Sequence, residues 1–392
     1  MSDSKKVSRR NYLKYAGTGV VGLAVGAAAG YYGGLSSVSV PSAPSTASTV
    51  TQTVTQSSST MEIPNPFIIA TINAGPAGTQ WGSAILRGEP AADQVLAQKF
   101  PDIKTKWLAA WSVKPTDKPS IYAGFVSQGA NLIWDSDFTQ TLDKPLIEGT
   151  YATNPDVVFL ESAFTLANTP NAGIYEWDAH IGAFLEGIVG GAMTKTNKLG
   201  AVHPFNDLYD GLIFNCYRQG AKLVNPNAEC YYVFTGDYHD VSLGEKAATA
   251  LAAVGCDFIC GQGDGMTTGA IKGAEAAKVM SMGVYSDQQS VAPDSVVSST
   301  LWNAGVLLSD CLTMIWNGQW PRVFFPGNPD FLPHPHFRYF LKDNTVSLAP
   351  FNPAFTVPAV VNSTIATARA GNAAGTFALT TDSTWPAALQ VS

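Results

Sequence analysis

From Met61 onward, short β-rich runs alternate with helical stretches, and this alternation restricts the possible folds more than any other property of the chain. The runs are FIIATIN (67–73), TKWLAAWS (105–112), NLIWDSD (131–137), DVVFLES (156–162), LGAVHP (199–204), CYYVFTG (230–236), DFICGQGD (257–264), VMSMGVYSD (279–287) and SVVSSTLW (295–302). Between them, AADQVLAQKF (91–100), IGAFLEGIVGGAMT (181–194), LGEKAATALAAVG (243–255) and GAIKGAEAAK (269–278) space apolar residues as an amphipathic helix does. Strands alternating with helices imply parallel α/β sheets, because a parallel pair needs a long crossover that a helix supplies. Nine strand candidates exceed what one compact open sheet of this type holds, so the pattern predicts two doubly wound lobes. The stretch NAGIYEWDAHIGAFLEGIVGGAMTKTNK (171–198) reads as the passage from the first lobe to the second.

With 392 residues, 46% of them hydrophobic and 14% charged, the chain has ample apolar material for such cores. A formal net charge of −7, with no basic cluster after the first ten residues, argues against nucleic acid as a partner. The five cysteines show no paired CxxC spacing, which disfavours a zinc site. CDFIC reads as part of a buried strand, so Cys256 and Cys260, four apart, point to the same face, which suggests two packed thiols, with a disulfide as the lesser alternative.

The first 35 residues carry VSRRNYLK and then the charge-free YAGTGVVGLAVGAAAGYYGGL, a twin-arginine-type export signal. The apolar run is long enough to cross a bilayer, so it is either cleaved or kept as a membrane anchor. Residues 36–61 are dominated by Ser and Thr and cannot bury a core, so they read as an extended tether that places the body on the cell surface.

In open α/β sheets, ligands bind beyond the carboxyl ends of the strands. The residues there are Trp81, Trp111, Asp137 with Phe138, Phe164, Tyr238 with His239, Asp264, Tyr285 with Asp287, and Trp302. Aromatics and carboxylates repeated at the strand ends of both lobes suggest a cleft for something flat with hydrogen-bonding edges. Trp81, in the turn GPAGTQWG (75–82) where small residues would close more easily, reads as a stacking platform or as a cap on its lobe's core.

The motifs GPAGTQWG, MTKTNKLGAV, RQGAKLVNPNAECYYVFTGDYHDVSLGEKAATALAAVGCDFICGQGD, GVYSDQQS, SSTLWNAG and VSLAPF extend over most of the body. In them the chain resembles the basic membrane protein and purine-nucleoside receptor group of solute-binding proteins that serve ABC importers. The resemblance implies a type I periplasmic-binding fold, two α/β lobes closing on ligand by hinge bending, with an ABC permease as partner. It implies that Trp81 and Tyr238 sandwich a base, and that Asp137, beside Phe138, reads the base edge with Asp264 at the matching strand end of lobe two. Asp135 stands close enough to exchange places with Asp137. Where nucleoside-binding members have GVD and a lysine before Asn to hold the sugar, this chain has GVYSD and TLWN, so Tyr285 and Trp302 replace the sugar ligands. A free purine base or another flat heteroaromatic then fits better than a nucleoside, with a sugar or amino acid as alternatives. The expected partition is 62–173 with 285–320 in lobe one, 174–284 with 321–365 in lobe two, crossings near Ile174, Val284 and Pro321, and a C-terminal tail at 366–392. An unlipidated, stalked receptor with this signal resembles archaeal practice.

An enzyme would need a nucleophile with its base, a metal site or a phosphate cradle. GQGDG lacks the dinucleotide-binding spacing, His334 and His336 form a lone HPH pair, and no Ser or Cys is placed beside Asp237, His239 and Asp240. The sequence therefore predicts no catalytic residue, metal or cofactor, and leaves a stalked structural or adhesive surface protein as the other class. If the signal works through the twin-arginine route, replacing Arg9 and Arg10 by Lys will retain the protein in the cytoplasm, as cell fractionation would show. Undiminished export through another route would refute that reading.

Overall fold

The computed structural model describes residues 63–138, 144–162, 170–176, 178–320 and 335–391; the export signal, the tether, Phe164, His334 and the expected crossing near Pro321 lie outside them. The strands are β1 (Phe67–Ile72), β2 (Thr105–Ala110), β3 (Leu132–Phe138), β4 (Val158–Ser162), β5 (Ala172–Tyr175), β6 (Lys198–His203), β7 (Glu229–Phe234), β8 (Phe258–Gly261), β9 (Met280–Gly283), β10 (Val296–Trp302), β11 (His336–Phe337) and β12 (Val346–Leu348). They form two six-stranded sheets, ordered β11-β5-β4-β3-β1-β2 and β12-β10-β9-β8-β6-β7. All pairs are parallel except β10 with β12. The expected fold class, α/β with two doubly wound parallel-sheet lobes, is the one observed. All nine strand candidates are strands; the short β5, β11 and β12 were not foreseen.

The helices are α1 (Gln80–Lys99), α2 (Lys118–Ser127), α3 (Lys144–Thr153), α4 (Ala179–Met193), α5 (Leu208–Val224), α6 (Val241–Ala253), α7 (Gly265–Ala276), α8 (Ala304–Trp316) and α9 (Val360–Ala373). They pack in pairs, α1 with α8, α2 with α3, α4 with α5 and α6 with α7. Each sheet is thus covered on both faces, which is why its central strands are apolar almost throughout. Alternate residues serve opposite faces: Phe67 and Ile69 enter the core beneath α1 and α8, whereas Ala70 and Ile72 enter the one beneath α2 and α3. The largest core is continuous from α1 and α8 in the first lobe to α4 and α5 in the second. Among the described residues, no helix is long and apolar enough to cross a membrane.

Three expectations need correction. First, β10 pairs with β9, so the chain stays in the second lobe to Trp302, and only α8 returns to the first. Conversely, β5 extends the first sheet to Tyr175 and β11 adds an edge to it. The crossings therefore fall at 176–178, 302–304 and 338–345. Second, the helix expected from Ala91 starts at Gln80 and runs through Pro90. Its opening turn is capped by the Thr79 hydroxyl, which accepts from the Gly82 N–H at 3.1 Å. Close packing of Gly88 and Ala91 on α8 holds the segment helical despite the proline. Third, Cys256 lies in the turn before β8, not in the strand, and packs on the α6 and α7 side, while Cys260 packs on the α4 and α5 side. All five cysteines are buried and free.

The expected tail is likewise more than an appendage. Residues 366–373 belong to α9, and the segment beyond docks on the second lobe. There Trp385 packs among His203, Phe214, Tyr232 and Phe234, and Asn215 donates to the carbonyls of Asp382 and Thr384. Gln390 bridges to Tyr232 and so covers the exposed edge of β7.

Helices α4 and α5 pack backbone to backbone. A Cβ at Gly187 would collide with the Tyr217 carbonyl, and one at Gly220 with that of Phe184. Gly187→Ala is expected to destabilise the protein by about 1–3 kcal/mol through overpacking, measured by urea unfolding. An unchanged midpoint would mean that the two helices can part at no cost.

Candidate functional site

Trp81, Tyr285 and Trp302 meet where the lobes face each other. Trp81 stands in the first turn of α1, Tyr285 in the turn after β9 and Trp302 at the end of β10. The indoles of Trp81 and Trp302 stack with centroids 4.6 Å apart and planes 14° apart, and Tyr285 meets Trp81 edge-on at 5.1 Å and 73°. Trp302 also lies nearly parallel to Tyr175 of the first sheet, at 6.5 Å and 16°. The free volume among these side chains is about 10 Å³, room for roughly one water. The rings that were expected to hold a flat ligand occupy each other's faces.

Tyr285 has φ +64°, a backbone region that costs a bulky side chain energy. The turn is held by its carbonyl, which accepts from the Trp302 N–H (3.2 Å) and from Arg87 Nη2 (2.7 Å). Arg87 Nη1 also donates to Ser286 Oγ (2.9 Å), and Ser286 Oγ to the Gln80 carbonyl (2.7 Å). Asp264, at the start of α7, accepts the Trp81 N–H on Oδ1 at 3.2 Å. A second-lobe carboxylate thereby faces the positive end of a first-lobe helix. The Gln80 amide, turned to satisfy its neighbours, donates to the same Oδ1 at 2.8 Å and accepts from Gln288 Nε2 at 3.0 Å. Asp264 Oδ2 stands 3.6 Å from His239 Nδ1, and that contact raises the pKa of the exposed imidazole.

Two buried carboxyls complete the site, and sequence reasoning missed both. Asp178, 3% exposed, lines the small cavity beside Thr300 and Trp302. Burial pushes its pKa up to about 7. Glu186, two turns along α4, accepts from Gln262 Nε2 (2.5 Å) and Thr300 Oγ1 (3.1 Å), and burial raises it to about 8. The available signal was faint: one acid at the start of an otherwise uncharged helix, and one inside it.

The other expected residues are dispersed. Tyr238 packs edge-on against Phe205 at 5.3 Å, and its carbonyl accepts from the Asp264 N–H at 3.0 Å. Asp137 and Phe138 end β3, but their side chains lie outside the described set. Their neighbour Asp135 is committed to the sheet: Lys118 Nζ meets its Oδ2 at 2.7 Å, both groups being buried. Tyr122 donates to Asp135 (3.2 Å) and to Glu161 (2.7 Å), whose pKa is raised by burial and by the Asp135 charge. Among the described residues, no group of three or more His, Cys, Asp or Glu could hold a metal ion.

The model of the PnrA-like ABC transporter substrate-binding proteins matches residues 94–322. A putative ABC transporter glucose-binding protein of Haloferax volcanii is 24% identical over 60% of this chain and 58% of its own length. Basic membrane protein A of Borreliella afzelii is 28% identical over 46% of this chain and 57% of its own. The chain thus spans little more than half the length of the curated relatives it matches. An ABC transporter solute-binding protein from Conexibacter woesei shares the fold, with TM-score 0.61 and 19% identity over 80% of this chain and 99% of its own.

Because Asp178 and Glu186 hold protons more tightly folded than unfolded, folding takes up protons between about pH 4 and 8. Their penalty is absent below the unfolded pKa values and grows as pH rises through that window. The melting temperature is therefore expected to fall between pH 5 and pH 8.5, and Glu186→Gln to flatten the decline. A stability that rises over this range would contradict the assignment of these carboxyls as the controlling groups.

Proposed function

Since the chain belongs to the PnrA-like family of ABC transporter substrate-binding proteins, we propose that it is the extracytoplasmic receptor of an ABC importer for a small flat heteroaromatic solute such as a purine base. The importer's permease would be its partner, and the N-terminal segment would hold it to the membrane. One observation carries the choice of ligand. The Trp302 indole is itself a flat nitrogen heterocycle lying face-on to Trp81, and the buried Asp178 carboxyl lines the same small cavity. The walls of this site therefore already accommodate a stacked flat ring, with a carboxyl lining the same cavity. Entry requires the lobes to part at the crossings, which draws Trp302 of the second lobe away from Trp81 of the first. Asp264 and Tyr238 stand on the second lobe beside the same opening, and Asp137 and Phe138 end a strand of the first.

A sugar is the second reading. Aromatic faces and carboxylates also suit the C–H faces and hydroxyls of a monosaccharide, and the Haloferax relative is named as a putative glucose-binding protein.

Free purine bases are expected to raise the melting temperature by binding only the folded cleft, and nucleosides to do so less, because Tyr285 and Trp302 offer little to a ribose. Trp81→Ala should weaken base binding by roughly 1–3 kcal/mol in calorimetry, by analogy with bases stacked on aromatics elsewhere. Stabilisation by glucose with no response to any heteroaromatic would replace the purine reading by the sugar one.

A further inference from the structure

A second cavity, of about 350 Å³, lies at the hinge and shares no lining residue with the aromatic one. It opens between the crossings at 176–178 and 338–345, the first turns of α5 and the docked C-terminal segment. Its size is within the range of small-molecule sites. Leu212, Phe340, Leu341 and Leu379 give it an apolar wall. At its edge, Glu176 Oε1 pairs with His336 Nε2 at 2.8 Å, and Glu176 Oε2 accepts from Arg338 Nε at 3.0 Å. This pairing offsets the carboxylate charge and fixes the guanidinium by one side. The side chain of Arg338 is 61% exposed, and its two terminal amino groups take no hydrogen-bond partner among the described residues. Such a planar fork, oriented in advance, matches a carboxylate in two-point geometry.

We propose that this cavity binds a small organic carboxylate with an apolar body, its carboxylate on the open edge of Arg338 and its body against Leu212 and Leu379. A single guanidinium beside Glu176 suits one negative charge better than a doubly charged phosphate. Calorimetric titration of the full chain with benzoate, with benzyl alcohol as the neutral control, tests this. Benzoate is expected to bind at least about tenfold more tightly than the alcohol, because only it makes a charge-assisted pair. Arg338→Gln should remove that preference. Since Arg338→Gln also loosens the Glu176 pairing, Leu212→Trp, which fills the cavity and leaves Arg338 in place, should abolish benzoate binding independently. Equal binding of the alcohol, benzoate binding retained in Leu212→Trp, or no benzoate binding at millimolar concentration would each overturn the proposal.

Discussion

The stack of Trp302 on Trp81 is the contact on which the observed arrangement of the two lobes depends. It carries a second-lobe ring into the first lobe and makes the largest core continuous through both. Aromatic pairs of this kind contribute about 0.5–1.5 kcal/mol beyond the burial of their area. Any solute entering between them must first replace that contact, so the measured affinity is lower than the intrinsic one by the fraction of open molecules. Around the stack, Arg87, Gln80 and Asp264 add polar contacts between the lobes that also have to exchange for water on opening.

The carboxylates around the cleft are held in three different ways. Asp135 is neutralised by Lys118 within the first lobe, and Asp264 faces a helix terminus of the opposite lobe. Asp178 and Glu186 form no ion pair among the described residues, and burial moves them toward the protonated form. The distinction bears on recognition. An acid already satisfied by a lysine inside its own sheet has little to offer a ligand, whereas Asp178 lines the small cavity among the rings and has no cation partner among the described residues.

The layered fold was legible because its strands are long apolar runs and its helices amphipathic; local chemistry sufficed for these. The lobe boundaries were not. Strands β5, β11 and β12, of four, two and three residues, are too short to show a period, yet they decide which sheet the chain is in at each crossing. The helix read from Ala91 begins at Gln80, because packing on α8 holds the segment around Pro90 helical. At the site, Trp81, Tyr285 and Trp302 stood out as aromatics after strands, and they do converge. Their stacking on one another, and the roles of Asp178 and Arg87, depend on contacts between segments far apart in sequence, for which a single chain carries no local mark.

The crossings have a consequence for how the chain is made. The first sheet lacks its β11 edge until residues past 337 exist, and the second is closed at one edge by β12 and at the other by residues near 390. Neither sheet is therefore complete until the chain has been made through Phe337 for the first and through the residues near 390 for the second. A chain stopped before His336 would carry two sheets that each lack an edge, with apolar strands left unshielded.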